Sequence, residues 1–144
     1  MQIYFAGSIR GGREDVRLYH DLINHLKKFG RVPTEHVGQL DLTEKGDDGP
    51  DDHCIYDRDM KWLAACDAVV AEVSQPSLGV GYELGRAAAL AKPILCLYRP
   101  KPERPLSAMI NGCDQIETIA YSSVEEAIAA IDIFMGKIIR SLNE

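Results

Sequence analysis

Gln75-Pro76-Ser77-Leu78-Gly79-Val80-Gly81-Tyr82-Glu83-Leu84-Gly85-Arg86-Ala87 follows the apolar run Ala68-Val69-Val70-Ala71. The run reads as a buried strand, and Gly85-Arg86-Ala87-Ala88-Ala89-Leu90-Ala91 reads as a helix built from small residues. The quoted stretch is therefore a strand-to-helix crossing that carries one carboxylate. This reading puts Glu83 in the first turn of the helix, at the carboxyl end of a strand, the edge where open α/β sheets bind ligands. A helix dipole stabilises negative charge there, so Glu83 is expected to be ionised and available as a nucleophile or base. An acidic residue also suits any helix N-terminus on its own account, and the rest of the chain has to decide between the two.

Outward from this crossing the chain alternates strands and helices. Residues 2–6 form a short strand ending at Gly7-Ser8-Ile9-Arg10-Gly11-Gly12, and residues 14–29 follow as a helix stopped by Gly30. Arg31-Val32-Pro33-Thr34 reads as a weak strand, placed near an edge or strand end by its proline. Residues 39–52 are acidic and turn-rich, a loop long enough to cover an active site. Helix 52–65, strand 68–72, the Glu83 helix, strand 93–98, a helical turn at 106–110 and strand 116–120 come next. Ser123-Val124-Glu125-Glu126 is a capping box that opens a C-terminal helix. The expected fold is a single α/β domain over residues 1–144, doubly wound in the Rossmann or flavodoxin manner, with a five-stranded parallel sheet covered by helices on both faces.

A chain of 144 residues is large enough for one well-buried core. Its formal net charge of -6 argues against a nucleic acid polymer as partner, which needs a basic face. No apolar run approaches the roughly 20 residues that span a bilayer, and the first residues show no secretory signal pattern. The four cysteines, Cys54, Cys66, Cys96 and Cys113, form no CxxC pair, and the four histidines show no HExxH spacing. Reduced thiols, an intracellular location (cytoplasmic, or nuclear in a eukaryote), no metal and no cofactor are the expectations.

Two further segments can carry chemistry. Ile55, Trp62 and Leu63 share a helical stripe with Asp59 in its middle, while Asp57, Arg58 and Lys61 fall on the outer face. An inward carboxylate is costly unless paired or used; the alternative is an Asp at the stripe's edge, bonded to a backbone amide or an Arg. The turn at residues 7–12 offers unobstructed backbone amides, the Ser8 hydroxyl and the Arg10 guanidinium, a set that suits a phosphate monoester, although glycines also serve any tight turn. It is neither a Walker A loop nor GxGxxG, so ATP and NAD are poor guesses. Tyr4, late in the first strand, reads as core unless its phenol finds a polar partner such as an active-site carboxylate.

Taken together, residues 4–13, Thr34-Glu35-His36-Val37, Asp59 with Trp62-Leu63, residues 75–87, Lys92-Pro93-Ile94-Leu95-Cys96-Leu97 and Leu106-Ser107-Ala108-Met109-Ile110 closely resemble the 2′-deoxynucleoside 5′-monophosphate N-glycosidases of the nucleoside 2-deoxyribosyltransferase superfamily. The resemblance runs from residue 2 to about residue 112. It implies that Glu83 attacks the anomeric carbon, that Asp59 assists base departure and later water attack, and that Tyr4 orients Glu83. It also implies substrate contacts from Gly7, Ser8, Ile9, Arg10, Gly11, Gly12, His36, Ser77 and Gly79, and a homodimer in which Ser107 and Met109 complete the neighbouring subunit's site. A carboxylate pair of this kind supports a retaining route through a covalent glycosyl intermediate. The implied reaction releases a free base and 2-deoxyribose 5-phosphate. A deoxyribosyltransferase is the nearest rival, disfavoured because unphosphorylated nucleosides have no use for a phosphate cradle. A non-catalytic nucleotide sensor is a second rival, which would have no need of two carboxylates around the sugar.

Overall fold

The protein is described here by a computed structural model covering residues 1–41 and 49–144. Half of the predicted covering loop, residues 42–48, lies outside the described residues. The elements run β1 (Ile3–Ala6), α1 (Val16–Leu26), a short 3-10 helix (Glu35–Gly38), α2 (Asp52–Ala65), β2 (Ala68–Glu72), α3 (Leu78–Ala89), β3 (Ile94–Tyr98), α4 (Ala108–Asn111), β4 (Ile116–Ala120) and α5 (Val124–Leu142). The four strands form one parallel sheet in the order β1-β2-β3-β4. The α/β architecture expected from the sequence is present, with one strand fewer.

The missing strand is the segment at residues 31–34. It makes a single parallel bridge, Gln2 to Arg31, with Ile3 N–H donating to the Arg31 carbonyl and Arg31 N–H to the Met1 carbonyl. Two residues later pairing stops, because Pro33 has no N–H to offer. The Phe5 N–H is taken by the Thr34 hydroxyl at 2.9 Å, a side chain where a ladder carbonyl would stand. The chain nevertheless passes to one side of β1 at Arg31 and then to the other side for β2. That reversal makes the carboxyl ends of β1 and β2 a topological switch point.

Residue alternation along each strand sorts the core into two layers. Ile3, Phe5, Ala68, Val70, Leu95 and Leu97 pack with Leu18, Tyr19, Leu22, Ile131 and Phe134 of α1 and α5. Tyr4, Ala6, Val69, Ala71, Ile94 and Cys96 pack on the opposite face with Leu63, Cys66, Val80, Leu84 and Ala87, the α2 and α3 layer. Both faces are covered, as near-continuous apolar strands require. The helix predicted over residues 14–29 is shorter, Val16–Leu26, since residues 27–29 close it as a turn. The C-terminal capping box forms with one shift: Ser123 Oγ accepts from Glu126 N–H at 3.3 Å, while the Glu126 carboxylate accepts from Ser122 N–H at 2.7 Å instead of from the cap residue itself.

Candidate active site

Three segments meet at the switch point: the turn after β1, the loop from β2 into α3, and the inner face of α2. Ser77 caps α3, its hydroxyl accepting from Val80 N–H at 3.3 Å. Helix α3 starts at Leu78, so Glu83 is its sixth residue and stands in the second turn, not the first. The dipole acts mainly over the first turn, and the expectation that it keeps Glu83 ionised fails. Burial and the neighbouring Asp59 charge instead push the Glu83 carboxyl up to about 8, against the opposing pull of a hydrogen bond from Tyr4. Tyr4 is 1 % exposed, and its phenol is driven far above the ordinary tyrosine range by burial first, then by the charges of Glu83 and Asp59. The buried phenol thus finds the partner its burial demands. Tyr4, Asp59 and Glu83, singled out from separate segments of sequence, share one electrostatic environment.

Asp59 does face inward, with its side chain 16 % exposed, but its surroundings differ from the sequence reading in one respect. Arg58, placed on the outer face by the helical pattern, turns back toward the site. Its Nε donates to Asp59 Oδ1 at 2.9 Å, its guanidinium lies 4.8 Å over the Trp62 ring, and its Nη2 stands 3.4 Å from His36 Nε2. The His36 and Trp62 rings are themselves 6.1 Å apart. Helical spacing locates Cα atoms; a side chain as long as arginine can then swing through a quarter of the helix surface to reach a carboxylate and an aromatic face. The alternative reading of Asp59, a carboxylate bonded to an Arg, is therefore met in part: the residue type is foreseen, and helical spacing does not say which arginine.

The turn at residues 7–12 is built for close approach. Gly12 has φ +130, a conformation other residues avoid, and a Cβ on Gly11 would stand 2.7 Å from the Pro76 carbonyl and 2.9 Å from Ser8 Oγ. The β1 turn and the α3 entry loop therefore touch, and Gln75 Nε2 donates to the Gly11 carbonyl at 2.8 Å. Gly7 is buried against the Tyr19 ring, and Ile9 is half-buried against the first core layer. Ser8 is fully buried and its hydroxyl points beneath the turn, with no hydrogen-bond partner among the described residues. Its backbone N–H is taken by the Tyr19 hydroxyl at 3.2 Å. Arg10 is exposed and pairs with Asp52 at 2.8 Å. Arg13, not predicted, braces the turn against the 3-10 helix by donating to the carbonyls of Val37 at 2.7 Å and Gln39 at 2.9 Å. Gly79 is exposed at the start of α3. Ser107 and Met109 are exposed at the start of α4, where Ser107 Oγ accepts from Met109 N–H at 3.3 Å.

One buried group lies outside the residues the sequence singles out. Glu72 ends β2, is fully buried, and its carboxyl is raised above the usual range by burial. Tyr121 donates to its Oε1 at 3.0 Å, and the Ser74 hydroxyl donates to the same oxygen. Arg99 donates to Tyr121 at 3.1 Å and to Asp15, beside the first turn of α1, at 2.7 Å. This chain of bonds ties the carboxyl ends of β2, β3 and β4 to α1, just outside the switch point. The signal was there: a carboxylate that closes an apolar strand must be paired or neutral.

The arrangement is that of an α/β domain in which a carboxylate pair, a phenol and a glycine turn converge at the switch point of a parallel sheet. The chain belongs to the nucleoside 2-deoxyribosyltransferase family, whose model matches residues 3–120. A zebrafish (Danio rerio) protein named 5-hydroxymethyl-dUMP N-hydrolase is 57% identical over 112 residues, covering 78% of this chain and 78% of its own. The human (Homo sapiens) protein of the same name is 56% identical over 111 residues, covering 76% of this chain and 64% of the human one. Among solved structures, the CMP N-glycosidase BcmB of Clostridium botulinum superimposes with a TM-score of 0.70 over 93% of this chain and 99% of its own, at 20% identity, a likeness of fold.

Proposed function

We propose that this protein hydrolyses the N-glycosidic bond of 2′-deoxynucleoside 5′-monophosphates, releasing a free base and 2-deoxyribose 5-phosphate. The observation that carries this reading is the joining of Tyr4, Asp59 and Glu83 at the sheet's switch point, supported by relatives named as N-hydrolases of a deoxynucleoside monophosphate. Glu83, once ionised, attacks the anomeric carbon; the carbon–nitrogen bond breaks and its electron pair leaves with the base. Asp59 passes a proton to the departing base and then takes one from the water that opens the glycosyl ester, which returns Glu83 as a carboxylate. Tyr4 holds Glu83 in line throughout. A deoxyribosyl centre lacks the electron-withdrawing 2-hydroxyl, so its cation forms more readily and needs less stabilisation than a ribosyl one.

The glycine turn, Arg10, Ser77 and Gly79 form the phosphate end of the cleft, and His36 lies toward the base. The Arg10–Asp52 pair is exposed, so exchanging Asp52 for a phosphate costs little. Ser107 and Met109 reach the neighbouring site of a homodimer; the 82 % exposure of Met109 and 97 % exposure of Leu78 give a partner apolar surface to cover. All four cysteines are free, which suits a reducing cytoplasm or nucleus, and among the described residues no helix is long and apolar enough to cross a membrane. The test is incubation with a panel of deoxynucleoside monophosphates, 5-hydroxymethyl-dUMP first, followed by chromatography for free base with and without an acceptor base. Release of base that is independent of acceptor is expected. Sugar transfer to the acceptor without hydrolysis would favour the transferase, and no reaction on any substrate would overturn the reading.

A further inference from the structure

We propose that Arg58 is a positioning residue for base departure: its guanidinium, clamped between Trp62 and His36, fixes the Asp59 carboxylate at the leaving group. The inference rests on the proposed hydrolase reading and deepens it at the same site. Three contacts define the clamp. Nε donates to Asp59 Oδ1 at 2.9 Å, the guanidinium carbon lies 4.8 Å over the Trp62 ring, and Nη2 stands 3.4 Å from His36 Nε2. A guanidinium held over an indole face has reduced freedom, so the oxygen it bonds is held as well. Asp59 by itself has a free χ1 and χ2 on a helix face; with one oxygen tied to Nε, its second oxygen has a defined direction. The pair is also well shielded, with side-chain exposures of 28 % for Arg58 and 16 % for Asp59, so it is not an ordinary surface ion pair. The groups around Asp59 come from four elements: Tyr4 of β1, Arg58 of α2, Glu83 of α3 and, through Arg58, His36 of the 3-10 helix. Arg58 is a cation in hydrogen-bond contact with the Asp59 carboxylate.

The chemical consequence is specific. A carboxylate that helps a base depart matters most when the base leaves poorly, so loss of its positioning should weigh more on a poor leaving group than on a good one. Misplacing a catalytic group by about 1 Å can cost on the order of 100-fold. We therefore expect Arg58→Gln to lower kcat on dUMP by about 10- to 100-fold with KM within about threefold, and to lower it distinctly less on 5-fluoro-dUMP, whose electron-poor base leaves more easily. Arg58→Lys should behave like Arg58→Gln, because an ammonium cannot both stack on Trp62 and fork to Asp59. Since Arg58 acts through Asp59, adding Arg58→Gln to Asp59→Asn should cost nothing further. Gln and Lys are both good helix formers, and thermal unfolding of each variant near the parent's temperature separates misplacement from misfolding. Retained kcat in both variants, equal losses on the two substrates, or effects that multiply in the double variant would each overturn the inference while leaving the hydrolase reading intact. A parent that releases no base from any monophosphate would remove both.

Discussion

The Glu83 carboxyl, pushed up to about 8 by burial and by Asp59, keeps its proton at neutral pH in the free protein, and this acts on folding and catalysis in opposite directions. The proton is bound more tightly in the folded state than in the unfolded chain. Stability from this group is therefore full below about 4.5 and is lost as pH rises toward about 8. Glu83→Gln, which removes the titration, should match the parent's stability near pH 4.5 and exceed it by roughly 1–3 kcal/mol at pH 8, read from urea unfolding across that range. The same variant should lose essentially all turnover, since an amide cannot form the glycosyl ester. In the parent, kcat/KM should climb about tenfold per pH unit below the Glu83 pKa and level above about 8. A pH-independent kcat/KM from 6 to 9 would mean that Glu83 is not the group that must ionise. Arg10 poses a different question at this scale. It is exposed and paired with Asp52, so Arg10→Ala should raise KM for monophosphates about tenfold, the lower end for a charge-assisted contact, and leave cleavage of the matching nucleoside unchanged. Equal losses on both substrates would take the phosphate away from Arg10. These residues were legible because unusual chemistry sat in ordinary positions: a carboxylate in an apolar stripe, a phenol in a buried strand, glycines beside a hydroxyl. An Arg as partner of Asp59 was one of the alternatives in the sequence; that it is Arg58 was not legible, because the reach of an arginine side chain is not encoded in helical spacing.

At the scale of elements, what could be read depended on periodicity, and what could not depended on tertiary hydrogen bonds. The bounds of β2, α2 and β4 follow directly from apolar runs and their punctuation. Glu83 lies one turn further into α3 than the sequence implies, because three glycines blur where the helix begins and the Ser77 cap decides it. The segment at residues 31–34 has strand-like composition yet fails as a strand, since Thr34 Oγ1 replaces the ladder partner of Phe5. Side chains also decide how the elements are held at the site's edge. Glu72 accepts from Tyr121 and Ser74, and Arg99 links Tyr121 to Asp15, so the ends of three strands and the start of α1 form one unit. Tyr121→Phe removes a donor from a fully buried carboxyl whose second oxygen has no partner among the described residues. It should destabilise the fold by about 1–3 kcal/mol, seen as a lower urea midpoint at unchanged m, with kcat within about threefold of the parent because the network lies outside the reacting groups. A large loss of kcat in a stable Tyr121→Phe protein would move this network into the catalytic machinery.

For the whole molecule, the open question is whether one chain builds a complete site. Ser107 and Met109 sit at the start of α4, beyond the carboxyl end of β3, and they are exposed, as are Leu78 and Tyr82 of α3. Within one chain they are separated from β1, whose turn carries the glycines, by the width of β2 in the sheet order. A two-fold axis that covered Leu78 and Met109 would bring one chain's α4 toward the other's α3 entry, the self-complementary arrangement that a homodimer needs. The proposed dimer therefore predicts complementation. Glu83→Gln chains and Ser107→Ala/Met109→Ala chains, each close to inactive alone, should recover activity when mixed under conditions where subunits exchange. In the mixed dimer, one of the two sites receives an intact Glu83 from the first parent's partner and an intact Ser107 segment from the chain opposite. Random exchange of equal amounts makes half of all dimers mixed, and each holds one good site of two, so recovery should approach about one quarter of the activity of the unaltered protein. Exchange is verified separately by native mass spectrometry on isotope-labelled chains. Mixed dimers that form but stay inactive would show each site to be built from a single chain, and a monomeric protein with full turnover would remove the dimer from the mechanism altogether.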